Sequence, residues 1–417
     1  MGARAAKRDA NKILEEMSTD MSNMFQWKME HVRRIAERAE ELSANHSNGD
    51  AHLPFEFINS RKLFDKLEGP PTQLVEQPLK EQRQWKGLNL RRSPLFGRTS
   101  VNFEESAVHV PVNVFELANG LKTPVKWSSS LKDVFRNNRV IDPDVYWQYF
   151  CSSAGFLRLY PATAWRVPDF LQQPDQDRKP LDLYDCRMRH WYIRAAASPK
   201  DVVILLDGSG SMSGQRREIA RNVVTNILDT LGEDDHVTVI RFSDELEAVV
   251  PCFGNRLVQA NEQNVRLFKQ HLTLLNTTDI ANFSMALRTA FQLLKNSTQQ
   301  RLGSGCNQAI MLITDGAPDN DRLDYRTIFE EFNYPRIDIR VFSYLVGKEV
   351  TDSKEVNWMA CANRGYYTHV ANLAEIREQV QLYLPVMARP LVLARDRTYA
   401  FTNVYADVMV RFRARFD

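Results

Sequence analysis

A pattern of buried strands that starts near residue 201 constrains the fold of this chain more than any other sequence feature. Residues 202–206 form a continuous apolar run, as a strand covered on both faces requires. Segments of helical periodicity separate it from three further runs of strand type, at 237–242, 309–314 and 337–346. Alternating strands and helices over roughly 180 residues predict a doubly wound, Rossmann-like α/β fold around a parallel sheet.

The helices expected between these strands are amphipathic. The first has one apolar face and ends at Gly232, in the position where glycine often closes a helix. That face consists of Ala220, Val223, Val224, Ile227, Leu228 and Leu231. Later helices are predicted at 265–275, 285–294, 357–362 and 373–387.

The part of the chain before residue 200 does not show this alternation of strands and helices. Residues 10–44 lack Gly and Pro and repeat apolar residues at helical spacing, which predicts one or two amphipathic helices with a Met-rich packing face. Short strand-like runs follow at 107–114, 147–150, 156–160 and 191–195. We therefore divide the 417 residues into N-terminal helices with an irregular segment (1–100), an α+β region (101–199), the α/β domain (200–388) and the start of a further region (389–417).

Charge and hydropathy exclude several classes of protein. Lys and Arg number 54 and Asp and Glu 52, giving a formal charge of +2. This balance argues against a nucleic-acid binder that depends on a strong basic field. The longest apolar run is far shorter than the roughly 20 residues of a membrane span, so no transmembrane segment is expected. No secretory signal is recognised near Met1, so the chain is either cytosolic or an incomplete piece of a longer protein.

Cysteines and glycosylation sequons leave the compartment open. Five cysteines, an odd number without zinc-type spacing, suit a reducing compartment as buried apolar residues, or an oxidising one with at least one partner missing. They are Cys151, Cys186, Cys252, Cys306 and Cys361. Four sequons favour secretion weakly; they begin at Asn45, Asn276, Asn282 and Asn296.

The chemistry concentrates where the first and third strands of the α/β domain end. Asp207 closes the first strand, and Ser209 and Ser211 follow it between glycines. Asp315 closes the third strand, so its carboxylate should lie at the same edge of the sheet, where doubly wound folds bind ligands. Two carboxylates and two hydroxyls form a hard-oxygen site suited to Mg²⁺ or Ca²⁺. A carboxylate from outside the chain would complete it.

Two alternatives compete with a cation site. A phosphate-binding loop would need G-x-G-x-x-G or Walker spacing, which Gly208, Gly210 and Gly214 do not provide. Asp207 would also repel the phosphate that a helix N-terminus attracts. The second alternative is a purely structural Gly/Ser turn.

These residues carry a family resemblance. The Asp207-Gly208-Ser209-Gly210-Ser211 loop, with the later Thr314-Asp315-Gly316, resembles the metal-ion-dependent adhesion site of a von Willebrand factor type A domain. Several flanking stretches are similar to the alpha-2/delta auxiliary subunits of voltage-gated calcium channels: residues 147–150, 185–193, 197–201, 308–316 and 358–367.

The resemblance implies a non-enzymatic, extracellular role. Members of this family lie on the outer face of the plasma membrane, tethered through a C-terminal delta part, and raise surface delivery and current of the pore-forming alpha-1 subunit. Their type A domain is inserted into a Cache-like module, which here would include 101–199 and 389–417. By resemblance, Asp207, Ser209, Ser211 and Asp315 are metal ligands, and Cys306 is the cysteine bridged to delta.

The chain departs from the family at two places. Ala281 occupies the position where type A domains often have a ligand Thr, and Thr278 could substitute only if its loop shifts. Arg187 and Arg189 flank Met188 where members that bind gabapentin-type amino acids have three arginines. Either arginine could take a ligand carboxylate or form a salt bridge.

Local expectations follow for the metal loop. A glycan on Asn282 would crowd a partner at the metal, so modification is expected only at Asn45, Asn276 and Asn296. Ser209 is expected in an exposed loop.

Three function classes are therefore compared. The preferred one is an auxiliary channel subunit that contacts its pore through a divalent cation. The alternative is a generic extracellular type A adhesion or scaffold module with another partner. An enzyme is not expected, because no Ser-His-Asp order, HExxH or Cys-His set stands out.

Overall fold

The structure, a computed structural model, contains two compact units, within residues 1–187 and 188–402. The residues it describes are 9–46, 57–70, 85–97, 99–111, 119–165, 182, 184–196, 198–278, 280–316, 322–349, 353–394, 399 and 401–402. Much of the predicted segment 389–417 lies outside this range, as do residues 112–114 of the strand predicted at 107–114. In the described part of the chain, no helix combines the length and apolar character of a membrane span.

The first unit combines helices with small sheets. Its helices are α1 (Ala10–Ala44), α2 (Asn119–Ser128) and α3 (Leu131–Ile141). Its strands are β1 (Leu63–Asp65), β2 (Lys86–Leu88), β3 (Arg91–Ser93), β4 (Thr99–Asn102), β5 (Ala107–His109), β6 (Gln148–Cys151), β7 (Leu157–Tyr160) and β8 (Ala162–Thr163). β1 pairs with β2, and two antiparallel sheets have the orders β3-β4-β8 and β5-β7-β6. A disulfide joins Cys151, at the end of β6, to Cys186.

The long helix α1 is a single element, but three of its methionines are exposed to solvent. Asp9 caps it by accepting a hydrogen bond from the Asn11 amide. Its buried residues are His31 and Ala39 in the C-terminal half, whereas Met17, Met21 and Met24 are 57%, 51% and 48% exposed. The predicted Met-rich packing face is therefore wrong for these three residues. The helix packs through its later turns, against α3 and α2.

The second unit is the predicted doubly wound domain. Its strands are β9 (Lys200–Asp207), β10 (His236–Phe242), β11 (Leu246–Ala248), β12 (Val258–Gln259), β13 (Asn307–Thr314), β14 (Ile339–Val346) and β15 (Tyr366–Val370). The sheet order is β11-β10-β9-β13-β14-β15, with β12 also on β10. β9, β10, β13, β14 and β15 are parallel neighbours, and β11 and β12 run antiparallel to β10.

Helices cover both faces of this sheet, so that β9 is buried along its whole length. Val202 and Ile204 belong to the core on one face, and Val203 and Leu205 to the core on the other, as the alternation of a strand requires. The helices are α4 (His190–Ala196), α5 (Gln215–Asp229), α6 (Glu262–Leu272), α7 (Phe283–Gln300), α8 (Arg322–Asn333), α9 (Ser353–Ala362), α10 (Ile376–Gln381) and α11 (Tyr383–Ala394). The predicted fold class is confirmed.

Several elements differ from the sequence expectation. The run at 191–195, predicted as a strand, is helix α4, because aromatic and branched residues favour a strand only where a neighbouring strand pairs with them. α5 ends at Asp229 with Thr230 as its cap, so Gly232 lies beyond the helix. The predicted helix 373–387 is two helices, α10 and α11.

The amino-terminal edge of the sheet contains a close backbone approach. Gly365 precedes β15, and its amide donates to the Ala360 carbonyl at 3.0 Å. A Cβ at this position would overlap the Val341 carbonyl oxygen of β14. Only glycine lets β15 lie against β14 here.

Candidate metal centre

Asp207 is held at the carboxyl edge of the sheet by the strand that it ends. Its side chain is 3% exposed, and its Oδ1 accepts a hydrogen bond of 2.9 Å from the Ser209 amide. Gly208 lets the Arg241 side chain lie against this loop, because a Cβ at 208 would lie 2.5 Å from Nε of Arg241.

The four predicted ligands form one connected cluster. The Ser209 and Ser211 hydroxyls are 3.0 Å apart, and Ser211 Oγ donates to Asp315 Oδ1 at 3.0 Å. β9 and β13 are adjacent and parallel, with Leu206 opposite Ile313, so the two strand ends meet. We call Asp207, Ser209, Ser211 and Asp315 the rim cluster.

Ser209 itself is 6% exposed, so the expectation of an exposed position is wrong. Its amide is turned towards Asp207 and its hydroxyl towards Ser211, which draws the loop against the sheet. Ser211 remains exposed to solvent.

Thr314 supports the cluster from behind, a role that the sequence did not reveal. Its hydroxyl lies 2.6 Å from Asp207 Oδ2 and 2.9 Å from the Gly316 carbonyl oxygen. Its position in the sequence could have indicated this role, because Thr314 ends a buried strand next to the strand that Asp207 ends.

Burial raises the pKa of the Asp207 carboxyl above its ordinary value, against the hydrogen bonds from Thr314 and Ser209. The nearby negative charge of Asp315 raises the pKa further. A desolvated carboxylate beside a second one is costly unless a positive charge compensates. The rim cluster therefore has the oxygen donors and the charge that a hard divalent cation fits.

In the described ranges no three His, Cys, Asp or Glu side chains gather where a metal could bind. The rim cluster differs from such a group because two of its four oxygen donors are hydroxyls. A cation here would draw on both carboxylates and leave coordination positions open.

Arg216 reaches the rim cluster from the first turn of α5. Its Nη1 donates to Asp315 Oδ2 at 2.8 Å and to the Ser211 carbonyl oxygen at 3.2 Å.

Thr278 lies beside the loop, but its hydroxyl is engaged elsewhere. Its amide donates to the Gly208 carbonyl at 2.8 Å, while its Oγ1 accepts from Arg241 Nη2 at 2.8 Å. The Thr278 hydroxyl is therefore bound by Arg241 in this structure, and a ligand role for Thr278 after a loop shift stays a prediction.

Arg187 forms a salt bridge. Its Nη2 is 2.8 Å from Oδ2 of Asp185, a carboxylate that is 2% exposed. Arg189 falls in the second unit, where its carbonyl accepts from the Tyr192 and Ile193 amides.

The predicted modification sites are on the surface. Cys306 is an exposed free thiol just before β13, and Asn45, Asn276 and Asn296 are exposed. Asn282 caps α7, with its side-chain oxygen accepting from the Met285 amide at 3.0 Å.

Ser209→Ala is expected to weaken cation binding by about tenfold or more, because losing even an outer partner of a metal ligand costs that much. Without added cation the free energy of unfolding should fall by only about 1 kcal/mol, the value of one hydrogen bond. Titration calorimetry with Mg²⁺ and thermal melts would measure the two effects. Ser213→Ala, in the same loop and exposed, is the control. A large loss of stability with unchanged binding would mean that Ser209 is structural.

Comparison with known proteins defines the class. The family profile of the VWA N-terminal domain matches residues 36–165, and that of the von Willebrand factor type A domain matches 201–382. The chain thus contains a VWA N-terminal domain followed in the sequence by a von Willebrand factor type A domain. A solved von Willebrand factor type A protein from Catenulispora acidiphila is 18% identical, over 46% of this chain and 43% of its own, with a TM-score of 0.39.

Within this class the chain is similar over nearly its whole length to alpha-2/delta subunits of voltage-dependent calcium channels, as the sequence predicted. The alpha-2/delta-3 subunit of Rattus norvegicus is 39% identical over 96% of this chain and 35% of its own length. The alpha-2/delta-2 subunit of Homo sapiens is 34% identical over 97% of this chain and 34% of its own. The chain spans about a third of the length of these relatives. A Cache-like architecture around the type A domain remains a prediction.

Proposed function

We propose that this chain acts as part of an auxiliary alpha-2/delta-type subunit, which contacts the pore-forming alpha-1 subunit of a voltage-gated calcium channel through a divalent cation. In this role it promotes surface delivery and current of the channel and catalyses no reaction. The observation that carries the proposal is the rim cluster, in which Asp207 and Asp315 are linked through two serine hydroxyls. Similarity to alpha-2/delta subunits over nearly the whole chain supports the choice of partner.

The rim cluster would hold the cation and leave a coordination position for the partner. Asp207 and Asp315 would supply charge, and Ser209 and Ser211 neutral oxygens. Mg²⁺ and Ca²⁺ both accept such oxygen ligands, and an acidic side chain on the pore subunit would complete the shell. The bound ion would supply the attraction between two surfaces that are both acidic at this point.

Two cysteine observations support an extracellular position on the plasma membrane. A disulfide such as Cys151–Cys186 is typical of oxidising compartments. Cys306 is exposed and free to bridge to a delta part.

Co-purification with a voltage-gated calcium channel alpha-1 subunit tests the proposal. The wild-type chain, co-expressed with the pore and purified in Mg²⁺ or Ca²⁺, should be retained by it. EDTA and Asp207→Asn should each release the chain, because both remove the bridging ion. Asp338→Asn is the control. It also removes one carboxylate charge, but next to β14 at the amino-terminal edge of the sheet, away from the rim cluster, and should leave retention unchanged.

Equal retention of wild type and Asp207→Asn would contradict a cation-mediated contact. A wild-type chain that binds the cation but is not retained by the pore would instead favour a generic type A adhesion module with another partner.

A further inference from the structure

Arg216 places a positive charge in direct contact with a residue of the rim cluster. Its guanidinium donates to Asp315 Oδ2 at 2.8 Å, while the other oxygen of Asp315 accepts from Ser211 at 3.0 Å. Both oxygens of this carboxylate are therefore engaged by groups of the chain itself.

The backbone around Arg216 explains how it reaches Asp315. Gly214, with φ of +68°, turns the chain into α5, so that Arg216 falls in the first helical turn above the cluster. The stem of Arg216 passes over Gly347, just beyond β14: a Cβ at 347 would lie 3.0 Å from Nε of Arg216. The arginine thus lies between its own helix and the end of a neighbouring strand.

Arg216 and a divalent cation have opposed requirements at Asp315. Both are attracted by the same carboxylate, and two positive charges held at one carboxylate repel each other. The Arg216 side chain is 31% exposed, so it has room to move outwards when a cation arrives. If Arg216 moves away, its ion pair with Asp315 is lost. If it stays, its positive charge repels the bound ion.

We propose that Arg216 is a tethered cation that competes with the divalent ion for Asp315 and so sets a lower affinity for the metal centre. This inference rests on the proposed cation site and adds to it a residue that regulates occupancy. A weakened site is filled only when the divalent concentration is high, as it is outside cells, or when a partner carboxylate adds to the attraction.

Titration calorimetry of the purified 417-residue chain with MgCl₂ and with CaCl₂ tests the competition. Arg216→Gln should bind the ion about tenfold more tightly than wild type, equivalent to about 1.4 kcal/mol. Arg216→Lys keeps the charge and should stay close to the wild-type Kd. Arg217→Gln removes the same charge from the next residue, whose ion pair is with Glu218, and should also stay close to wild type.

The salt dependence of cation affinity is a second measurement, and it would not change if Arg216 had only a structural role. Added NaCl screens charge–charge interactions, so the affinity advantage of Arg216→Gln should shrink as salt rises. Circular dichroism of each variant checks that the fold is kept.

The outcomes separate this inference from the proposed function. If the wild-type chain binds the ion in a way that Asp207→Asn abolishes, but Arg216→Gln binds no more tightly, the competition is disproved and the metal centre stands. If neither the wild type nor Arg216→Gln binds Mg²⁺ or Ca²⁺, the metal centre and the competition are both wrong.

Discussion

Asp207→Asn is expected to reduce the affinity of this chain for Mg²⁺ and Ca²⁺ by at least about 100-fold while leaving the fold intact. Loss of an outer partner of a metal ligand already costs about 10- to 100-fold, and Asp207 would be a ligand itself. The substitution removes half of the carboxylate charge of the rim cluster. Titration calorimetry on the wild type and the variant measures the difference.

The fold should survive because asparagine can keep the local hydrogen bonds. Its amide oxygen can accept from the Ser209 amide, as Oδ1 of Asp207 does. Its NH₂ can donate to the Thr314 hydroxyl, whose hydrogen is then free for the Gly316 carbonyl oxygen at 2.9 Å. No buried polar group in this set loses a partner.

In a chelator, Asp207→Asn should melt at the same temperature as wild type or higher at pH 7. Burial raises the pKa of Asp207 above its ordinary value. The stability that this group contributes is therefore present below its unfolded pKa and is lost as pH rises through its folded pKa. Asparagine removes that loss, so the difference should vanish below about pH 4. A clear drop in melting temperature at pH 7 would contradict this account of the Asp207 environment.

Removing the Cys151–Cys186 disulfide should destabilise the first unit by about 4 kcal/mol. The bond closes a loop with a sequence separation of 35 residues, and cross-links of that span stabilise chiefly by restricting the unfolded chain. The double substitution to alanine avoids placing a hydroxyl at Cys186, which is 1% exposed. Hydrogen exchange followed by mass spectrometry on peptides from 119–165 reports this unit separately from the α/β domain.

Cys361→Ala is the matched control, because Cys361 is exposed and free. Exposed substitutions change stability by about 0.5 kcal/mol or less. Unchanged exchange in the double variant would mean that the disulfide adds nothing to the stability of the first unit.

The sequence predicted the parts of the rim cluster that depend on strand order alone. Asp207 and Asp315 each follow a continuous apolar run, and parallel strands bring such ends to one edge. Thr314 was present in the motif, but its contact with Asp207 depends on which way one hydroxyl turns. Arg216 was missed because its contact with Asp315 spans 99 residues, and nothing in the helical pattern of α5 indicates it.

The disulfide, the edge strands and the packing of α1 were also hard to predict, because they depend on tertiary contacts or leave only a short sequence signal. Five cysteines allow many pairings, and only the packing of the first unit brings Cys151 and Cys186 together. The edge strands β11 and β12 are two or three residues long, too short for a periodic signal. The apolar stripe of α1 was visible in the sequence, but whether other residues cover it depends on tertiary contacts.

Because Gly365 lies so close to Val341, an inherited substitution at Gly365 should have a different consequence from one at the opposite edge of this domain. Any side chain at 365 would push β15 away from β14, so a missense change there would deplete the protein through failed folding. A change at Asp207 lies at the opposite edge and spares the core. Under the proposed function, such a change would leave normal amounts of a folded protein that lacks its cation-mediated contact.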